Sequence, residues 1–178
     1  MTIQNLNIKK RAKRIKLLIL DVDGVMTDGS IVYDNRGNEL KIFYVRDGFG
    51  ITLLHCAGIK TCIVTAKGSA AVLKRAKDLG MAKVYQSAHD KLEAYRKVRK
   101  EFRVRDEEVC FIGDDLIDLP ILRRAGLSVA VKDAIDEVKN SSHYITHNVG
   151  GRGAVREVTE LILKAQGLWE TAVGRYDR

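Results

Sequence analysis

Residues 17–24 read Leu17-Leu18-Ile19-Leu20-Asp21-Val22-Asp23-Gly24. An unbroken apolar run that ends abruptly in carboxylates and a glycine is the pattern of a strand buried on both faces that delivers polar groups at its carboxyl end. Three further runs have the same character: Ile59–Val64, Val109–Ile112 and Leu127–Val131, with a minor one at Lys83–Tyr85. Segments of helical period lie between them. They are Arg46–Ala57 before Gly58, Ser69–Leu79 before Gly80, Asp90–Phe102, Asp118–Ala125 before Gly126, and Ala154–Ala165 before Gly167. Glycine just past a helix suits the left-handed closing position. Strand and helix in alternation predict an α/β fold of the doubly wound, Rossmann-like kind, a mostly parallel sheet with helices on both faces. One segment departs from the alternation. Gly29–Tyr33 and Glu39–Tyr44 flank the turn signal Asp34-Asn35-Arg36-Gly37, which predicts a β-hairpin inserted after the first strand.

In open parallel sheets, ligands bind beyond the carboxyl ends of the strands. Here the runs end in Asp21-Val22-Asp23-Gly24, in Thr65 and in Gly113-Asp114-Asp115. Four carboxylates and a hydroxyl are thereby brought to one sheet edge. Acidic groups so close raise one another's pKa, and a divalent cation relieves the repulsion. Oxygen-only ligands favour Mg²⁺ over zinc. The competing reading is helix capping by Asp115 and a turn at Asp23-Gly24. An EF-hand does not fit, since Val25 and Met26 stand where that loop needs an oxygen ligand and a glycine. Asp114-Asp115-Leu116-Ile117-Asp118 has prenyl-synthase spacing but follows a strand, and Gly48-Phe49-Gly50 lacks the third glycine of a dinucleotide fingerprint. Lys91 follows the candidate cap Asp90 at the start of a helix, where the dipole disfavours a cation, so it either serves an anion or simply faces solvent. Thr65 and the N–H groups of the helix beginning near Gly68 could hold a phosphate.

The chain has 178 residues, of which 46% are hydrophobic and 30% charged, enough for one sizeable core. Its apolar runs are too short to span a bilayer, and too few apolar residues separate Lys16 from Asp21 for a secretory leader, so a cytoplasmic protein is expected. Cys56, Cys62 and Cys110 sit in apolar segments without CxxC spacing and read as small buried hydrophobes. The net charge is +8, much of it from Lys9–Lys16 and Lys91–Arg105. Nucleic acid, a small anionic substrate and a merely solvated helix face all accommodate this. No aromatic-stacking or helix-turn-helix pattern accompanies the charge, which weighs against a basic nucleic-acid-binding module.

These residues together resemble the haloacid dehalogenase-like phosphohydrolases. Asp21 to Gly29 is similar to that superfamily's first motif, Thr65 to its second, Lys91 to its third, and Gly113 to Asp118 to its fourth. Arg46–Ile51, Gly113–Asp118, Leu127–Val131 and Gly150–Glu157 further resemble the 3-deoxy-D-manno-octulosonate 8-phosphate phosphatase family, over roughly Ile15 to Gly167. The resemblance implies a Mg²⁺-dependent phosphomonoesterase of lipopolysaccharide sugar biosynthesis. Asp21 would be the nucleophile and Asp23 the acid and base, with Thr65 and Lys91 on the phosphoryl oxygens. The metal would be held by Asp21, Asp23 (through its carbonyl) and Asp114, with Asp115 and Asp118 behind them. Substrate would contact Asp23, Tyr44, Val45, Arg46, Asp47, Gly48, Thr52, Lys67, Arg75 and Lys91. Where that family has Thr-Gly-Arg, this chain has Thr65-Ala66-Lys67, which keeps a charge but loses the planar fork. A phosphatase of a nine-carbon sugar acid such as 2-keto-3-deoxynononate 9-phosphate, or of sugar phosphates broadly, is the alternative.

Between Asp21 and Thr65, and between Thr65 and Asp114, the helices and strands already counted fill the chain, so no cap domain is expected. The resemblance supplies a homotetramer in its place, with hairpins forming a central collar and neighbours closing each site. The expected organisation is a single domain over 1–178, with a core of about 15–167, a basic extension over 1–14 and a mobile tail over 168–178 that can reach a neighbouring site. Gly150–Gly153 reads either as a source of backbone amides there or as a plain loop.

Overall fold

A computed structural model describes residues 3–176. Strand β1 (Leu17–Leu20) has every side chain fully buried. It lies at the centre of a six-stranded parallel sheet in the order β5-β4-β1-β6-β7-β8, whose other members are β4 (Lys60–Val64), β5 (Lys83–Tyr85), β6 (Val109–Gly113), β7 (Leu127–Ala130) and β8 (Tyr144–Ile145). From β1 the chain moves outward through β4 to β5. It then crosses to the other side of β1 for β6, β7 and β8. Right-handed crossovers that reverse direction place their helices on opposite faces of the sheet. Accordingly α2 (Val45–Cys56) packs with α7 (Ala154–Gln166), while α4 (Lys91–Phe102) packs with α5 (Leu119–Leu122). The doubly wound α/β fold is as expected.

Several elements differ from their expected form. The hairpin pairs only β2 (Val32–Tyr33) with β3 (Glu39–Leu40), because a two-stranded ribbon has little of its own to hold it. Helix α5 is one turn long, preceded by a 3₁₀ turn over Leu116–Asp118. α6 (Asp136–Asn140) and β8 are too short to leave a period in the sequence. Helix α3 (Ala70–Asp78) begins two residues beyond Gly68. Cys62 and Cys110 are buried as expected, but Cys56, in the last turn of α2, is exposed.

The core is wider than 15–167. The basic N-terminal segment forms α1 (Ile3–Ala12), which rests on α7 and buries Ile8 and Ala12. At the other end, α8 (Trp169–Val173) buries Ala172 and contacts α2 and α7 of its own chain. Lys164 Nζ lies 4.6 Å over the Trp169 ring, and Phe49 meets Tyr176 edge to face at 5.2 Å. The tail up to 176 is therefore anchored by aromatic and cation–π contacts. No helix among the described residues is long and apolar enough to cross a membrane.

Candidate active site

The register of the central strands builds the site. Leu20 is level with Ile63 of β4 and with Ile112 of β6. Neighbouring strands are ~4.8 Å apart, so the residues just beyond, Asp21, Thr65 and Asp114, emerge side by side at the point where the winding reverses. Asp21 continues the ladder by donating its N–H to the Ile112 carbonyl at 3.2 Å. Asp21, Asp23, Thr65, Ala66, Lys67, Asp114 and Asp115 line one open cleft of about 310 Å³, together with Gly24, Gly29, Ile31 and Ile117.

Lys91 enters this edge from the first residue of α4, whose cap Asp90 accepts the Glu93 N–H at 3.0 Å. Its Nζ lies 2.9 Å from Asp21 Oδ1 and 2.5 Å from Asp118 Oδ1, with the side chain wholly buried. Burial opposes its charge, but the Asp21 and Asp118 carboxylates raise its pKa above the usual lysine value. Lys91 therefore serves anions and does not face solvent. Asp118 is fully buried, and its other oxygen accepts the N–H groups of Asp114 at 2.9 Å and Asp115 at 3.4 Å. Asp115 is exposed and caps the 3₁₀ turn by accepting the Leu116 N–H.

Two glycines allow this packing. A Cβ on Gly24, whose φ is +84°, would sit 2.0 Å from Asp114 Oδ2. A Cβ on Gly113 would lie 2.6 Å from the Asp118 carboxyl carbon. Gly150–Gly153 proves to be a loop packed on the first motif, with the Gly151 N–H donating to the Val25 carbonyl at 2.9 Å.

The carboxylates form a set that fits a cation. Asp21, Asp114 and Asp118 each offer an oxygen within 4.8 Å of the others. Burial raises the Asp114 pKa to about 8, reinforced by the negative charge of Asp21 and Asp118. Burial also raises Asp21, to about 6, against the pull of Lys91. Asp114 Oδ1 is buried without a hydrogen-bond partner. Because Asp118 already gives one oxygen to Lys91 and the other to backbone, Asp21 and Asp114 are the side chains left to ligate. All-oxygen donors of this kind fit a hard divalent ion.

The expected sugar-contact residues divide. Asp23 and Lys67 line the cleft and Lys91 touches Asp21 there, whereas Tyr44, Val45, Arg46, Asp47, Gly48, Thr52 and Arg75 do not line the cleft of the single chain. Asp47 is buried and accepts the N–H groups of Gly153 at 3.2 Å and Arg156 at 2.8 Å, so it caps the start of α7. Thr52 donates to the Gly48 carbonyl at 3.2 Å. Arg75 stacks 5.7 Å from the Phe43 ring and presses against Gly48. Val45 and Arg46 are exposed.

Sequence reading missed Lys41. Its Nζ donates to Asp23 Oδ1 at 2.5 Å and to Glu39 Oε1 at 3.0 Å, and Lys67 reaches the same Glu39 oxygen at 3.4 Å. The available signal was the alternation Glu39-Leu40-Lys41-Ile42, which turns both charges to one face of the hairpin.

An Asp-x-Asp edge, a strand-end threonine, a buried lysine and a distal aspartate on a parallel sheet define a haloacid dehalogenase-like hydrolase, and residues 68–158 match that family. The 3-deoxy-D-manno-octulosonate 8-phosphate phosphatase KdsC of Yersinia pestis is 48% identical over 94% of this chain and 90% of its own length. A crystal structure of the Moraxella catarrhalis 3-deoxy-D-manno-octulosonate 8-phosphate phosphatase, in complex with a magnesium ion, a phosphate ion and a KDO molecule, superimposes with a TM-score of 0.93 at 43% identity, covering 95% of this chain and 97% of that one. A HAD-superfamily subfamily III A hydrolase from Legionella pneumophila gives 0.95 at 45% identity, over 98% and 96%. The chain belongs to the 3-deoxy-D-manno-octulosonate 8-phosphate phosphatase family of haloacid dehalogenase-like hydrolases.

Proposed function

We propose that this chain hydrolyses 3-deoxy-D-manno-octulosonate 8-phosphate to 3-deoxy-D-manno-octulosonate and phosphate, through an aspartyl-phosphate on Asp21, with Mg²⁺ as cofactor. The observation that carries it is the meeting of Asp21, Lys91 and Asp114 at the carboxyl edge of β1 and β6. The Yersinia pestis relative is a phosphatase of this substrate, and the Moraxella catarrhalis relative holds a magnesium ion.

An Asp21 carboxylate oxygen attacks phosphorus as the bond to the sugar oxygen breaks. Lys91 holds Asp21 in place and offers positive charge where the phosphoryl oxygens gather negative charge. Thr65, at the end of β4, is placed to donate its hydroxyl to the same oxygens. Asp23 gives its proton to the departing sugar oxygen, then accepts one from the water that attacks the aspartyl-phosphate. Asp21, the Asp23 carbonyl and Asp114 would hold Mg²⁺, which lowers the repulsion between the carboxylates and the phosphate. Asp118 positions Lys91 and the backbone of Asp114, with Asp115 supporting from the 3₁₀ turn. Lys67 faces the rim of the cleft, suited to the anionic part of the sugar acid. The remaining family contacts, Tyr44 to Gly48, Thr52 and Arg75, would act from the α2 end.

A site this open gains from a neighbour. The hairpin exposes Val32, Leu40 and Ile42 on one face, an apolar strip suited to a second copy. A homotetramer closed through these hairpins, working in the cytoplasm, completes the reading. The test is phosphate release from 3-deoxy-D-manno-octulosonate 8-phosphate with and without Mg²⁺. The parent is expected to turn over only with the metal, and Asp21→Asn not at all. Equal turnover by Asp21→Asn would overturn the reading.

A further inference from the structure

We propose that Lys41 is a positioning residue for the reaction, holding the Asp23 carboxylate in the orientation from which it exchanges a proton with the leaving oxygen. The inference deepens the phosphatase reading and rests on Asp23 being its acid and base.

Asp23 stands partly in solvent, with a third of its side chain exposed. It receives no contact from Lys91, whose Nζ is committed to Asp21 and Asp118. A short side chain at an open rim would sample several rotamers, and misplacement by about 1 Å can cost ~10²-fold in rate. Lys41 supplies the missing restraint. Its side chain is 2% exposed, and its Nζ donates to Asp23 Oδ1 at 2.5 Å. Glu39 holds Nζ from the other side at 3.0 Å. With Oδ1 held by Lys41, Oδ2 is the oxygen left to face the leaving group.

The hairpin's construction supports a dedicated role. Glu39 and Lys41 share one face, as does Tyr33, paired with Glu39; Val32, paired with Leu40, lies on the other. A lysine is expensive to order and to bury, because it loses both rotamer freedom and hydration. On a ribbon this short it would normally extend into water, and instead it bridges two carboxylates. Lys67 reaches the same Glu39 oxygen at 3.4 Å. The arm that carries the apolar strip thus also carries the cation that fixes Asp23.

The test uses the full-length protein with Mg²⁺ and two artificial esters of similar shape, phenyl phosphate and p-nitrophenyl phosphate. The second has a leaving group that departs without being protonated. Lys41→Met should lower kcat on phenyl phosphate by about tenfold or more, a fraction of the 10²–10⁴-fold that a general acid contributes. It should lower kcat on p-nitrophenyl phosphate by less than about threefold, with KM little changed on both. Lys41→Arg should restore most of the loss. In an Asp23→Asn background, Lys41→Met should add nothing further. Equal losses on both esters, or an additional loss in the Asp23→Asn background, would overturn the proposal. Should the methionine variant fail to fold, Lys41→Gln carries the same expectations. A parent that released phosphate neither from these esters nor from 3-deoxy-D-manno-octulosonate 8-phosphate would instead overturn the phosphatase reading itself.

Discussion

Lys91 Nζ lies 2.9 Å from Asp21 Oδ1, a contact made between the first residue of α4 and the residue that follows β1. The same nitrogen lies 2.5 Å from Asp118 Oδ1. One buried cation therefore ties Asp21 to the loop that carries Asp114, and the helix start that would repel a lysine tolerates it because two carboxylates oppose it.

That relationship makes Lys91→Met costly in two ways. Removing a preorganised charge from the phosphoryl site should lower kcat by ~10²-fold or more. Leaving the fully buried Asp118 without its partner should destabilise the fold by about 3–5 kcal/mol at neutral pH. Steady-state kinetics and urea unfolding read the two effects separately. Normal stability with normal turnover would refute the role given to Lys91.

Gly24→Ala should separate metal binding from folding. The added methyl would meet Asp114 Oδ2 at 2.0 Å, and φ at this position is +84°, so either Asp114 or the first-motif loop must move. The expected result is at least a tenfold weaker activation by Mg²⁺, a fraction of the affinity lost when a site's support is disturbed. A Mg²⁺ titration of activity checks it, with Asp114→Asn as the reference for a lost ligand. In the parent, adding Mg²⁺ should also raise the melting temperature, since a ligand that binds only the folded state stabilises it.

Glu108 predicts the acid limb of stability. Its carboxylate accepts the Arg105 N–H at 2.8 Å and pairs with Lys16 at 2.6 Å, and these contacts hold its pKa down at about 2. A depressed folded-state pKa contributes stability that is complete above the unfolded value of ~4.3. That contribution is lost as pH falls from there towards 2. Melting temperatures should therefore drop over this window in the parent, and the drop should be shallower in Glu108→Gln. Parallel curves for the two proteins would contradict the assignment.

Ile42→Lys tests the apolar strip. Ile42 is 63% exposed and Leu40 49% exposed in the single chain. A charge on that face should move the mass measured by light scattering from the proposed tetramer towards a monomer and lower activity on the sugar phosphate. Because the residue is exposed, the melting curve of the separated chain should change little. An unchanged mass would remove the hairpin from the interface.

The main layout of the sheet was legible from residue order. The runs Leu17–Leu20 and Val109–Ile112 are long enough, and apolar enough on both faces, to be buried strands in any packing. The polar residues that end them must then lie at one edge, which is why Asp21, Thr65 and Asp114 could be grouped without coordinates. Short elements escaped because α6 and β8 span too few residues to show a period. Helix α1 looked like a basic tail because only Ile8 and Ala12 of its described side chains are buried.

Partnerships between distant residues depended on tertiary packing. Nothing local distinguishes Asp118, expected to stand behind the site, as the group that grips Lys91, or Asp47 as the cap of α7. Lys41 meets Asp23 only because the hairpin folds over that residue. The physical reason is range. Periodicity and strand register arise from neighbours along the chain, whereas an ion pair forms between any two groups that packing brings within about 4 Å, where low dielectric strengthens it.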